Sequence, residues 1–106
     1  MAGSNGSTFS TQATTVPTVQ TSTTALAANP ARIAFMIQNQ DNANPLKVCF
    51  GAGASATQYH VVLKAATGAA DGTGGSIAQE AGTVYNGVIT VYSAGTPSYT
   101  VWEQAV

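Results

Sequence analysis

The chain has 106 residues, of which 44% are hydrophobic and only 7% charged, with a formal net charge of −1. That length corresponds to one domain, large enough to bury a core without metal or disulfide staples. A net charge this small argues against nucleic acid, which demands a basic stripe.

The charged residues, Arg32, Lys47, Lys64, Asp41, Asp71, Glu80 and Glu103, are scattered singly, and there is one histidine, His60, and one cysteine, Cys49. Catalysis needs acids, bases or nucleophiles within hydrogen-bond reach of one another. The expectation is therefore no enzyme, no catalytic residues, no cofactor and no metal site. Soluble domains carry roughly 25% charged residues. Here Thr, Ser, Gln, Asn, Ala and Gly must cover the surface, which suits broad contact with protein or sugar. No run of eighteen apolar residues exists to span a membrane as a helix. Met1-Ala2-Gly3-Ser4 lacks the basic start and apolar stretch of a signal peptide, so synthesis and assembly in a cytoplasm are expected.

Residues 1–13 are polar and rich in Gly and Ser, with Phe9 the one sizeable apolar side chain besides Met1. Ordering such a segment costs about 1–2 kcal/mol per residue of backbone entropy. Residues 14–24 are rich in Thr and Val, and Pro17 restricts them to an edge strand or an extended arm. Residues 1–24 are thus expected as an extended arm, with Phe9, Val16 and Val19 as its anchoring side chains, and residues 25–106 as the folded domain.

Residues 32–39 alternate, placing Ile33, Phe35 and Ile37 on one face. The turn formers of residues 40–45 follow, then a second alternating run with Leu46, Val48 and Phe50 inward. This predicts a hairpin with a loop of about six residues. Cys49 sits within that second run and reads as a buried, inert thiol. Residues 58–64 predict a strand with Tyr59, Val61 and Leu63 on one face, and residues 65–75 a loop. Short strands are expected over 76–80, 84–93 and 98–103, with Asn86-Gly87 a turn or bulge. No window carries a helical stripe. The prediction is all-β: an antiparallel β-sandwich, jelly-roll-like, of seven or eight strands.

Three groupings invite a chemical reading. Asp71-Gly72-Thr73-Gly74-Gly75 has the glycine content of a phosphate cradle but neither the Lys-Ser/Thr pair nor a following helix, and reads as a loop. His60, without a second histidine, reads as a surface or half-buried side chain. Tyr59, Tyr85, Tyr92, Tyr99 and Trp102 are candidates for a sugar-stacking platform, with ordinary strand packing the preferred reading.

Residues 29–39, NPARIAFMIQN, followed by a polar turn and residues 45–51, PLKVCFG, resemble a pattern in tailed-bacteriophage virion proteins. There an arginine-led apolar strand ending Ile-Gln-Asn precedes one ending Phe-Gly. Residues 85–91 and Val101-Trp102-Glu103 are similar to the same small proteins. The resemblance implies a capsid decoration, or cement, protein with a jelly-roll-like fold. Such a protein binds the major capsid protein on the outside of the shell as a dimer or trimer, and is located in the virion. Phage fibre, spike and neck proteins share similar β-domains, so a host-receptor or carbohydrate-binding domain is the alternative that the resemblance leaves open.

Overall fold

The computed structural model describes residues 8–15, 22–80, 82–95 and 98–106. They form eight strands: β1 (Thr8–Thr15), β2 (Thr23–Leu26), β3 (Arg32–Asn39), β4 (Leu46–Phe50), β5 (Val61–Leu63), β6 (Ser76–Gln79), β7 (Ile89–Tyr92) and β8 (Ser98–Ala105). Sheet one has the order β1-β8-β3-β6 and sheet two the order β2-β7-β4-β5, every ladder antiparallel. The chain is an antiparallel β-sandwich, and among the described residues no helix is long and apolar enough to cross a membrane.

Alternation along the strands makes the core. Sheet one contributes Phe35, Ile37, Tyr99 and Val101, and sheet two Leu26, Leu46, Val48, Leu63, Ile89 and Val91. Each fully buried aliphatic or aromatic side chain contributes about 1.5–3 kcal/mol of transfer free energy. Phe35 meets Phe50 of the opposite sheet edge to face, with ring centroids 6.2 Å apart.

The predicted hairpin between residues 32–39 and 46–50 does not form. β3 pairs with β6 and β8, and β4 pairs with β5 and β7, so the turn at 40–45 carries the chain from one sheet to the other. Alternation specifies a buried face, not the neighbour that fills a strand's hydrogen-bonding edge. Phe35 and Ile37 of one run and Leu46 and Val48 of the other are buried as expected, but toward each other across the core.

The inward set of β3 also differs. The register of β3 on β8 shifts by one residue between Arg32 and Ala34. This bulge places Arg32, rather than Ile33, in phase with Phe35 and Ile37, and Arg32 is 2% exposed.

Residues expected as an arm supply strands where they are described. β1 pairs with β8 over eight residues without a register shift, from Thr8↔Ala105 to Thr15↔Ser98. The expected boundary after residue 24 falls inside β2. Phe9 lies opposite Gln104 in this ladder, whereas Val16 and Val19 lie outside the described residues. The strand expected over 58–64 contracts to Val61–Leu63, and the one over 84–93 to Ile89–Tyr92.

Candidate functional surfaces

Two buried polar side chains occupy opposite ends of β3, and both hold structure together. At one end Arg32 donates from Nε to Glu103 Oε1 (2.8 Å), from one Nη to the carbonyls of Tyr85 (2.8 Å) and Gly87 (3.1 Å), and from the other to Ala27 O (2.6 Å). Its guanidinium lies 5.9 Å from the Phe35 ring centroid. Nearby, Asn86 Nδ2 donates to the carbonyls of Asn29 and Arg32, which fixes the segment before β7.

At the other end Asn39 Nδ2 donates to the carbonyls of Asn44, Leu63 and Lys64, while its Oδ1 accepts the Asp41 N–H at 2.9 Å. Leu63 belongs to sheet two, so this amide ties the sheets together. The Gly-rich loop packs here as well. A Cβ at Gly74 would run into the Asn39 carbonyl oxygen, and one at Gly75 would come within 2.7 Å of Lys64 N.

That packing accounts for Gly74 and Gly75 without a ligand, and Gly72 serves a backbone turn at φ of +84°. The Asp71 carboxylate is turned inward on its own loop. It accepts from the Thr73 hydroxyl (2.5 Å), the Thr73 N–H (2.9 Å) and the Gly68 N–H (2.9 Å). The Thr73 hydroxyl is the largest influence holding the Asp71 pKa below its ordinary 3.8. Gln38 Nε2 donates to the carbonyls of Gly72 and Gly74, anchoring the loop to β3.

The five aromatic candidates are divided among four environments. Tyr99 is buried in the core, 2% exposed, and that burial pushes its phenol above the ordinary 10.0. Tyr85 packs against Phe50, with centroids 5.4 Å apart. Trp102 is half-buried on sheet one, at the register position of Met36. Tyr92 shares a register position with Lys47 on sheet two, and the Lys47 ammonium lies 4.7 Å from the ring centroid of exposed Tyr59. Tyr92 and Trp102 therefore belong to different sheets. Among the described residues, no three His, Cys, Asp or Glu side chains are grouped to hold a metal.

What the ladders do assemble is an uncharged face. On the side of sheet one away from the core, Met36 is flanked by Trp102 and Ala78, and Gln38 by Thr100 and Ser76, with Ala34 beside Gln104. None of these eight residues carries a charge. Arg32 and Glu103, the charged members of β3 and β8, are spent on each other across the inner face. No family model matches the chain, and no curated protein or solved structure is similar to it. Sequence could have found this face only with the strand pairing in hand, because Met36, Ala78 and Trp102 come from three separate segments.

Proposed function

We propose that this chain is a structural virion protein that binds the outer surface of a phage capsid and strengthens contacts between capsomers. Its sandwich is read as a jelly roll. In support, β1 pairs with β8, β2 with β7, β3 with β6 and β4 with β5, as a single long hairpin does when it rolls into two sheets.

The observation that carries the functional reading is the charge-free outer face of sheet one. Interface cores are depleted in charge and enriched in aromatic residues and Met, and this face centres on Met36 and Trp102. Its partner is the major capsid protein, and the protein acts as a homo-oligomer, a dimer or trimer. Repetition around a capsid axis converts modest single contacts into tight collective binding. The division of the aromatic residues weighs against a sugar platform on a fibre or spike.

Cosedimentation with phage-like capsids, together with the mass of the free protein, tests the proposal. Saturation at a whole number of copies per capsomer is the expected result. A monomer that leaves shells bare at micromolar concentration overturns it. Deleting the first dozen residues is a poor test of an arm, because it removes most of β1 from sheet one.

A further inference from the structure

Between β4 and β5 the chain folds back over the outer face of sheet two and is pinned there at both ends. At the near end Thr90 Oγ1 donates to Gly51 O (2.7 Å) and accepts the Ala54 N–H (3.1 Å). Cys49, the register partner of Thr90, lies beneath this segment, only 3% exposed. A Cβ added at Gly51 would sit 3.9 Å from the Cys49 sulfur. The segment is braced internally by Gln58 Nε2 on Ala52 O and from β4 by Lys47 Nζ on Ala56 O.

At the far end the closing group is His60. Its backbone N–H donates to Val48 O (2.7 Å), and its Nδ1 accepts the Phe50 N–H (3.0 Å). The imidazole takes the place of a strand carbonyl and stacks on the Phe50 ring, with centroids 5.5 Å apart and planes 19° apart. An imidazole nitrogen accepts a hydrogen bond only while unprotonated, and the imidazolium is a donor at both nitrogens. His60 is exposed, so a proton reaches it from solvent with the fold intact.

We propose that His60 is a proton-operated latch on the segment between β4 and β5. With Nδ1 free, the segment is pinned to β4 over Cys49. With Nδ1 protonated, two donors confront each other across the Phe50 contact and the segment lifts. The titratable groups of the surrounding elements are Lys47 and Cys49 on β4, Tyr92 on β7, Tyr59 in the segment itself and Tyr85, which packs on Phe50. The carboxylates are placed elsewhere: Asp41 and Asp71 bind loop groups, Glu103 binds Arg32, and Glu80 follows β6. The latch stands independently of any capsid partner.

Labelling of Cys49 by a neutral maleimide, in the intact protein at pH 8 and pH 5, reads the opening directly. His60→Asn keeps a side-chain acceptor that does not titrate, and His60→Ala has none. Normalised to labelling of the urea-unfolded chain at each pH, the native rate is expected to rise about fivefold on acidification, the worth of one net hydrogen bond. His60→Asn should remain slow at both pH values and His60→Ala fast at both. Equal normalised rates for native and His60→Asn protein at pH 5 overturn the proposal. The native protein supplies a second readout without substitution. The amide proton shift of Phe50 must follow the titration of the His60 ring, and a Phe50 amide indifferent to that titration also overturns the latch.

Discussion

Arg32 and Glu103 face each other inside the sandwich, Nε to Oε1 at 2.8 Å, with Arg32 fully enclosed and Glu103 about one-fifth exposed. The pair exists because the bulge in β3 turns Arg32 inward onto the face that Glu103 shares with Val101 and Tyr99. Three carbonyls from two loops complete the guanidinium's partners, so one side chain closes that end of the fold.

Removing Arg32 leaves a partly buried carboxylate and three carbonyls without their donor. Breaking one side of a buried pair costs about 3–5 kcal/mol. Arg32→Ala is therefore expected to lower Tm by more than about 10 °C in a domain of this size. Arg32→Lys should recover little, since an ammonium cannot reach partners in a planar fork. Glu103→Gln keeps an acceptor oxygen and should cost about 1 kcal/mol. Urea melts of the three variants measure this order, and a Lys variant as stable as the native protein would refute the fork argument.

Asn39 plays the matching part at the other end of β3. Asn39→Asp replaces a donating amide with a carboxylate aimed at the carbonyls of Asn44, Leu63 and Lys64. It is expected to destabilise by about 3 kcal/mol at neutral pH. Asn39→Leu, which leaves the same carbonyls unpaired but adds no charge, should cost less. Chemical denaturation at pH 7 compares the two.

The glycines of the 71–75 loop differ in what they permit. Gly72 has φ of +84° with open space around it, so Gly72→Ala should cost only the left-handed penalty of about 1–2 kcal/mol. Gly74→Ala drives a methyl into the Asn39 carbonyl, and neither backbone can yield without breaking the Asn39 hub. The expected result is a folded Gly72→Ala protein and a Gly74→Ala protein that is unfolded or severely destabilised, distinguished by circular dichroism melts.

Asp71 sets the acid response of the same loop. Its folded pKa lies below 3.8, chiefly through the Thr73 hydroxyl. The ionised carboxylate therefore stabilises the loop above the unfolded value of 3.8, and that contribution is lost as pH falls through the lower folded pKa. Thr73→Val should move the Asp71 titration up toward 3.8. Carboxyl-carbon NMR follows it, and an unmoved titration would remove the hydroxyl as the main cause.

The strands were legible wherever apolar residues alternate: Phe35 and Ile37, Leu46 and Val48, Tyr99 and Val101 all lie inward. What was not legible is set by longer-range geometry. Residues 40–45 read as a hairpin turn because turn formers look alike whether they join paired strands or cross between sheets. Arg32 read as outward because a bulge has no signature in the pattern of β3 alone. Residues 84–88 alternate like a strand, yet the Arg32 guanidinium and the Asn86 side chain hold that segment as a loop. The Asp71 loop was correctly read as a loop, but the reason for Gly74 lies 35 positions away at Asn39.

The charge-free face of sheet one admits a direct test of the capsid reading. Met36→Lys places an ammonium between Trp102 and Ala78. Its stem can lie along the sheet while the charge reaches water, so stability should change by less than about 1 kcal/mol. Docking of this face would bury that charge unpaired, and capsid affinity should fall about tenfold or more. Val62→Lys, at a position 48% exposed on the outer face of sheet two, adds the same charge to the opposite side and should bind as the native protein does. If both variants bind normally and remain folded, the uncharged face is not the docking surface. If Val62→Lys alone fails, the contact belongs to sheet two, around Tyr59, Lys47 and Tyr92.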